Sequence, residues 1–395
     1  MSMDPTPPRR SPGSNNGGRR AANLKFVSDG DNNLLYPNLT SGSYTFIQIT
    51  NNKSLVDITS LAHPKLIHLN LSGCDKIMII DPLGECRKLK TLNLTSCKIQ
   101  SLEPLRSCTQ LTSLNLSECD KIMIIDPLGA CRKLTYLYLS RCTNIQDFNP
   151  LGACTELKTL HLTSCNIKNL QPLRSYTQLT HLSLSGCVNI TYIYPLICTQ
   201  LIYLDLVLCT SLNNFNFIRA CTQLTTLDLA GCNISIQDIV GEGQENIFEN
   251  CAKLQHIYLD SCRSLSPLVL SPLSHISELL SIHLMGCGFE MIPLAEQLGE
   301  IWRRRGTNVS FPKLTSIYIT YTVDENYRPE TQRDAIITNL QRICSSLKHV
   351  FINGEMTSIG KEATSIGEEL PTLPPLPEPG ESKSATPVSQ IQLRF

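Results

Sequence analysis

The segment Leu66–Cys74, with the sequence LIHLNLSGC, recurs along most of the chain and decides its fold. Seven close copies follow at intervals of 22 or 23 residues, such as LKTLNLTSC from Leu89 and LTTLDLAGC from Leu224. A fixed period of this length is the sequence signature of a solenoid of stacked units. With the looser copies we predict thirteen units, which begin at Ser43, Leu66, Leu89, Leu111, Leu134, Leu157, Leu179, Leu201, Leu224, Leu254, Leu279, Leu314 and Leu347.

Each copy alternates apolar and polar residues in the manner of a β-strand. In the first close copy, Leu69 and Leu71 share one strand face, whereas His68, Asn70 and Ser72 share the other. We expect the leucine face to be buried and the polar face to be hydrated. Parallel strands need a crossover connection, which the other residues of each unit provide. The pattern therefore predicts a parallel sheet with one strand per unit.

The crossover carries a short motif of its own. It reads DPLGEC from Asp81 to Cys86, and later units repeat it as EPLRSC from Glu103 and DPLGAC from Asp126. Asp81 suits a helix N-cap and Pro82 suits the first helical position. Because only one or two turns fit before the next strand, we predict short helical or 3-10 turns opposite the strands.

The units lengthen towards the C-terminus, where the intervals after Leu224 become 30, 25, 35 and 33 residues. Apolar residues at helical spacing occupy 247–254, 294–302 and 336–347, in the first, third and fourth of these intervals. The second interval shows no such pattern. We therefore predict longer helices in the C-terminal units.

The consensus L-x-x-L-x-L-x-x-C/N-x-I/L at this period resembles the leucine-rich repeat, over about residues 43–355. The resemblance implies an α/β solenoid: a horseshoe with one curved parallel sheet on its concave side and helical or 3-10 turns on its convex side. The short repeats are similar to those of internalins and phosphatase-regulatory proteins, whereas the turn cysteine is similar to that of the cysteine-containing subclass. The chain is a hybrid of these types, so neither subclass's function transfers directly.

The two ends of the chain differ in composition from the array. Residues 1–42 form a basic tail rich in Pro, Gly, Ser and Asn, whose end is a candidate cap for the array. Residues 43–355 form the array of about 13 repeats, and residues 356–395 are rich in Pro, Glu and Ser. Segments with so few apolar residues cannot bury a core, so we predict that both tails are disordered.

The 18 cysteines all occupy two positions of the repeat, ten in the turn after the strand and eight just before the next unit. Tyr176 stands where a further cysteine would fall. The pattern predicts two columns of buried thiols, and the turn thiol can also hydrogen-bond to a neighbouring turn. A zinc site is the alternative, but zinc ligands usually lie two to four residues apart and these cysteines lie at least 11 apart. Disulfides between repeats would require an oxidising compartment.

Charge and hydropathy exclude several classes of protein. The 34 basic and 34 acidic residues cancel, which argues against nucleic-acid binding by bulk electrostatics. The first 20 residues lack the apolar core of a signal peptide, and no apolar stretch is long enough to span a membrane. We expect a cytoplasmic or nuclear protein with reduced thiols and no membrane insertion.

No catalytic motif is present, since GxxxxGK[ST], HExxH and GxSxG are all missing. We therefore predict no enzymatic activity, no cofactor and no metal. Two pairs of side chains leave open an alternative role in metal binding or acid–base chemistry. His161 and His181, on adjacent strands, are a conceivable metal or acid–base cluster, although hydrated surface residues are the simpler interpretation. Asp205 and Asp228, about 4.8 Å apart by strand spacing, are either an acid–base pair or part of a binding patch.

The polar strand face changes character along the array. The first three close copies carry small or neutral residues there, whereas later copies carry Tyr, His and Asp. Tyrosine is favoured at binding hot spots, although outward Tyr and His also suit a β surface in general. The candidate partner-binding residues are Tyr136, Tyr138, His161, His181, Tyr203, Asp205, Asp228, His256, Tyr258 and Asp260.

These observations predict a non-enzymatic scaffold or adaptor that recognises a protein on the concave strand face. The partner is expected to offer basic or hydrogen-bonding groups. The resemblance leaves two alternatives open. A substrate-recognition adaptor of a ubiquitin ligase would need an F-box, and residues 1–42 show no such helical pattern. An internalin-like surface or adhesion protein would need an export signal.

Overall fold

A computed structural model describes the chain over residues 22–27, 44–194, 199–240, 246–305, 311–322 and 329–359. Within these ranges 15 strands form one sheet. The strands are β1 Ala22–Val27, β2 Tyr44–Thr50, β3 His68–Asn70, β4 Thr91–Asn93, β5 Ser113–Asn115, β6 Tyr136–Tyr138, β7 Thr159–His161, β8 His181–Ser183, β9 Tyr203–Asp205, β10 Thr226–Asp228, β11 His256–Tyr258, β12 Ser281–Glu290, β13 Ser316–Thr322, β14 His349–Ile352 and β15 Glu355–Ser358.

The order of the strands in the sheet equals their order along the chain. Neighbouring strands are parallel from β1 to β14, and β15 is antiparallel to β14. The thirteen strands β2 to β14 coincide with the thirteen predicted units. This arrangement confirms an α/β solenoid with one strand per repeat.

The crossovers consist mostly of short turns, as predicted. Longer helices lie in the C-terminal repeats, where Met291–Arg305 and Pro329–Ile343 match two of the predicted helical segments. The 3-10 turns are Asp81–Glu85, Glu103–Ser107, Asp126–Ala130, Asn149–Ala153, Gln171–Ser175, Asn216–Ala220 and Pro267–Val269, and the α-helices are α1 Ile236–Val240, α2 Leu270–Leu273, α3 Met291–Arg305 and α4 Pro329–Ile343.

The core is built by stacking equivalent residues of successive repeats. Leu69 pairs in register with Leu92, and Leu92 pairs with Leu114, so the inward leucines form a continuous row. All three side chains are fully buried. Because each repeat is too small to bury its own leucines, the apolar area is removed from water only when neighbours stack.

A left-handed residue directly precedes every turn cysteine of the array. Its φ lies between 57° and 75° in all ten repeats that have such a cysteine. Glycine adopts this conformation without strain, whereas other residues pay a steric cost. The ten residues are Gly73, Ser96, Glu118, Arg141, Ser164, Gly186, Leu208, Gly231, Ser261 and Gly286.

The left-handed turn directs each cysteine into the core, where its thiol donates a hydrogen bond to the preceding repeat. The acceptor is the carbonyl oxygen of the leucine or isoleucine that follows or ends the previous strand, with Sγ–O distances of 3.0–3.5 Å. Cys142, for example, donates to Leu116 at 3.1 Å. Burial raises the pKa of Cys142 to about 12, so its thiol keeps the proton that it donates. The predicted hydrogen bond to a neighbouring turn is therefore confirmed.

The second cysteine column lies at the end of the 3-10 turns. Cys131 donates to the carbonyl of Leu105 at 3.5 Å, and Cys154 donates to that of Leu128 at 3.4 Å. Of the 18 cysteines, the 17 within the described ranges are buried free thiols, and Cys198 lies outside those ranges. Tyr176 replaces a cysteine of this column, and its hydroxyl donates to Leu151 in the same way.

The structure corrects two of the helix predictions. Residues 247–254 form consecutive turns rather than a helix, and the helix of that repeat is α1, which lies earlier. The turns are closed by hydrogen bonds from the Cys251 amide to Phe248 and from the Leu254 amide to Cys251. They bury the same apolar residues that a helix would have buried. In the interval without a helical pattern, α2 is present.

The predicted N-cap at Asp81 is also wrong. The 3-10 turn begins at Asp81, so the cap position is Ile80 and no side chain caps the turn. The Leu83 amide instead bonds to the carbonyl of Ile80 at 2.9 Å. A single turn with this internal bond leaves few amides to cap.

The sheet extends past both predicted limits of the array. β1 lies within residues 1–42 and pairs with β2. β15 pairs with β14 through the two-residue turn Asn353–Gly354, in which both φ angles are positive, as type I′ hairpins require. Apart from β1 and residues 356–359, the predicted tails lie outside the described residues.

We predict that Tyr176→Phe lowers the free energy of unfolding by about 1 kcal/mol, because the buried hydrogen bond from the hydroxyl to the carbonyl oxygen of Leu151 is lost while that oxygen keeps its bond from the Cys154 amide. Tyr176 is 1% exposed and its hydroxyl lies 2.5 Å from that oxygen. Urea unfolding measures the change. Tyr136→Phe is the control, expected within about 0.5 kcal/mol of wild type. A Tyr176→Phe protein as stable as the control would contradict this account of the column.

We predict that Gly186→Ala destabilises the chain by about 1–2 kcal/mol, because an L-residue is strained at its φ of 69°. The added Cβ would also lie 2.9 Å from Ser164 Oγ. Gly84→Ala is the matched control, since its Cβ would meet nothing within 4 Å. Thermal unfolding of both variants tests the requirement, and equal melting temperatures would refute it.

Candidate functional site

The predicted residues lie in two columns on the polar face of strands β6 to β11. In register, Tyr136 faces Thr159 and Tyr138 faces His161, and the pattern continues strand by strand. Asp260 follows β11 by two residues. The first column contains Tyr136, Thr159, His181, Tyr203, Thr226 and His256, and the second column contains Tyr138, His161, Ser183, Asp205, Asp228 and Tyr258.

Several rings of the two columns stack across neighbouring strands. The rings of Tyr138 and His161 lie 4.8 Å apart, and those of His181 and Tyr203 lie 6.1 Å apart, both in stacked orientation. Such pairs contribute to stability beyond the area they bury. The rings are therefore held in place before any partner arrives.

A longer row of stacked rings continues the second column past the predicted site. Tyr258 stacks on His283 at 4.2 Å, His283 on Tyr318 at 4.0 Å, and Tyr318 on Phe351 at 4.2 Å. The last three residues were not among the candidates. The signal that finds them is the same strand position in the looser repeats from Leu279, Leu314 and Leu347, which carries an aromatic ring each time.

Side chains at the strand position of the second column also stabilise the turns that follow the strands, by accepting hydrogen bonds from turn amides. In the early repeats, Oδ1 of an asparagine accepts a hydrogen bond from the amide two residues on, as Asn93 does from Thr95 at 3.0 Å. Asp205 accepts from Val207 at 3.1 Å and Asp228 from Ala230 at 3.0 Å in the same way. This local bond is an Asx turn, which asparagine and aspartate make equally.

Three carboxylates lie on neighbouring repeats of this surface. Burial raises the pKa of Asp228 to about 7, although the Ala230 amide opposes the shift and the nearby charges of Asp205 and Asp260 add to it. Burial likewise raises the pKa of Asp260 to about 6, against the hydrogen bond from the Met285 amide. At neutral pH the cluster is therefore only partly ionised.

Asp205 accepts more hydrogen bonds than the other two carboxylates. Its Oδ2 accepts a hydrogen bond from Ser183 Oγ at 2.7 Å, and Ser183 Oγ lies 2.9 Å from Thr163 Oγ1. Burial raises its pKa, while the bonds from Ser183 and Val207 lower it.

Tyr203 lies on the same strand face as Asp205, two residues earlier. Its side chain is 6% exposed, and its hydroxyl has no hydrogen-bond partner among the described residues. Burial raises its pKa, and the charges of Asp205 and Asp228 raise it further. The two carboxylates therefore lie close enough to the hydroxyl for their charges to act on it.

The expectation of hydrated surface histidines is wrong for the second column. His161 is 8% exposed and His283 is 4% exposed: the ring of Tyr138 covers His161 on one side, and the rings of Tyr258 and Tyr318 cover His283 on both sides. Burial lowers the pKa of His161 to about 4 and that of His283 to about 3, so both are neutral at neutral pH. His161 and His181 lie in different columns and do not pair in register.

In the ranges that the structure describes, no group of three or more His, Cys, Asp or Glu side chains is placed to hold a metal ion. A shallow cavity lined by Phe148, Ile167, Lys168 and Pro172 lies among the crossovers, away from the strand face. The helices of the same ranges are too short or too polar to cross a bilayer.

Comparison with protein families identifies the repeat. The model "Leucine Rich repeats (2 copies)" matches residues 64–107, 87–130, 109–153 and 132–175. The model "Leucine Rich repeat" matches residues 220–235. A search of curated proteins finds no match to the chain.

Two solved structures are similar to this chain. An internalin, InlF, from Listeria monocytogenes is similar with a TM-score of 0.53 and 20% identity, covering 78% of this chain and 85% of the internalin chain. The functional domain of InlJ from the same organism, which includes a cysteine ladder, has a TM-score of 0.46 and 17% identity, covering 70% of this chain and 60% of the other. At this identity the likeness to InlF establishes the fold alone. The repeat period, the stacked parallel strands and the matched repeat models agree: the chain contains leucine-rich repeats and folds as a leucine-rich-repeat solenoid.

Proposed function

We propose that the chain is a non-enzymatic scaffold or adaptor that binds a protein partner on its concave strand face. The binding surface consists of the two columns of β6 to β11 together with Asp260. Leucine-rich-repeat proteins generally act in protein interactions, and an open sheet face offers contact area without the enclosed cavity that a small substrate needs.

The observation that carries the proposal is the abrupt change in side chains along the sheet. On β3 to β5 the strand position of the second column carries Asn70, Asn93 and Asn115, each of which accepts a hydrogen bond from its own turn. From β6 onwards the same position carries Tyr138 and other rings that stack. The core does not require this change, since the inward leucines are equally buried on both sides of it. Fixed aromatic rings lose little conformational entropy on binding, which favours them as anchors.

The proposal includes a cytoplasmic location, with the nucleus as a further compartment. Support comes from the thiols, because the hydrogen bonds of the turn cysteines require a proton on each sulfur. A reducing compartment keeps such thiols intact.

We predict that Tyr136→Ala combined with Tyr138→Ala reduces capture of the partner from cell lysate by at least about tenfold, as expected for the loss of a hot spot. Quantitative mass spectrometry of proteins retained by wild type and variant measures the change. Both residues are only half-buried, so their removal leaves the core intact.

Met123→Ala is the matched control, because Met123 is exposed on a crossover rather than a strand. The control is expected to retain the same proteins as wild type. Equal retention by the double tyrosine variant would contradict a binding surface on the concave face.

A further inference from the structure

The negative charges of Asp205 and Asp228 are not needed by the fold. Each provides one oxygen to an Asx turn, and the neutral Asn70, Asn93 and Asn115 do the same at that position at 3.0–3.1 Å. Asp205 also accepts from Ser183 Oγ through Oδ2, a bond that a neutral acceptor can make as well. The charge adds a cost, because a buried carboxylate is less well solvated than one in water. Aspartate at these two positions therefore calls for a reason outside the turn.

No basic side chain balances this charge among the described residues. The ion pairs of these ranges join other residues, such as Lys98 with Asp120 and Arg141 with Glu118. The titratable groups that face the carboxylates from the adjoining strands are tyrosines and histidines. Burial lowers the pKa of each of these histidines, so they supply no cation at neutral pH. The groups are His181, Tyr203, His256, Tyr258 and His283.

The cluster also has unused hydrogen-bonding capacity that points outward from the fold. Oδ2 of Asp228 and Oδ2 of Asp260 accept no hydrogen bond from any described residue. The Tyr203 side chain is more than nine-tenths buried, makes no hydrogen bond within these ranges, and lies close enough to Asp205 and Asp228 for their charges to act on its hydroxyl. A ligand that donates to the carboxylates can therefore also bond to this hydroxyl.

We propose that Asp205, Asp228 and Asp260 bind the side-chain cation of a lysine or arginine of the partner protein, with Tyr203 and Tyr258 beside it. This inference rests on the proposed function and names the group that the concave face recognises. A side-chain cation supplies donors to the free carboxylate oxygens and is attracted to the faces of tyrosine rings. The carboxylates and the tyrosine rings all lie on β9 to β11 or just after β11.

The probes are three immobilised pools of nine-residue peptides with random flanks and a central arginine, lysine or citrulline, which is the uncharged analogue of arginine. We expect the full chain to bind the arginine or the lysine pool at least about tenfold better than the citrulline pool at pH 8. The stronger of the two charged pools identifies the cation. Binding is expected to weaken towards pH 5, because protonation removes the carboxylate charge of Asp228 and Asp260.

Asp205→Asn with Asp228→Asn is the decisive variant, since it keeps both Asx turns and removes two charges. We expect it to bind all three pools at the citrulline level. Asp126→Asn is the matched control, because Asp126 is an exposed carboxylate in a 3-10 turn, and it is expected to behave as wild type. Thermal unfolding verifies that each variant is folded.

Equal binding of the three pools by wild type overturns the inference, and so does an intact preference in the double asparagine variant. The proposed function is tested separately by the tyrosine variants. A partner that the double asparagine variant still captures and the tyrosine variant loses would refute the cation contact and leave the concave binding surface standing.

Discussion

In-register stacking of parallel repeats is the constraint on which the rest of the structure depends. Each repeat leaves apolar surface and polar groups that only the next repeat completes, as the pairing of Leu69 with Leu92 and the bond from Cys142 to Leu116 illustrate. The carbonyl oxygens that accept from the thiols already accept an amide hydrogen bond, as Leu116 does from Cys119, so each thiol adds a second bond that specifies the register as well as filling space. The substitution of Tyr176 for a cysteine preserves the bond rather than the residue, which shows that the donor is the property the repeat requires.

The same constraint separates structural residues from available ones. Side chains at the inward and turn positions pack or bond against neighbouring repeats, so their identity is constrained. Side chains in the outward columns are not constrained in this way and vary from repeat to repeat. Stacking brings these outward residues within contact distance, so Tyr138 packs on His161 and Asp205 adjoins Asp228. Carboxylates brought together in this way lose solvation and repel one another, which the fold tolerates and a cationic partner would relieve.

The repeat pattern predicted the sheet, the strand positions and the two cysteine columns, because periodicity reports which side chains are buried. It was less informative about the backbone that buries them: residues 247–254 satisfy a helical pattern with consecutive turns. Burial within the polar columns also escaped prediction, since the cover over His283 comes from Tyr258 and Tyr318, in repeats 25 and 35 residues away. The Asn353–Gly354 dipeptide is a local hairpin signal, which lies outside the repeat pattern and depends on the positive φ of both residues.

The central claim is that the charge of Asp228 opposes folding, and the free energy of unfolding of Asp228→Asn and wild type between pH 4 and pH 8 tests it most directly. Burial raises the pKa of Asp228 in the folded chain to about 7, above its usual value of 3.8. The folded chain therefore binds the proton more tightly, and wild type loses stability as pH rises between these values. We predict that the variant matches wild type near pH 4 and exceeds it by up to about 4 kcal/mol at pH 8. A variant no more stable than wild type at pH 8 would contradict the account.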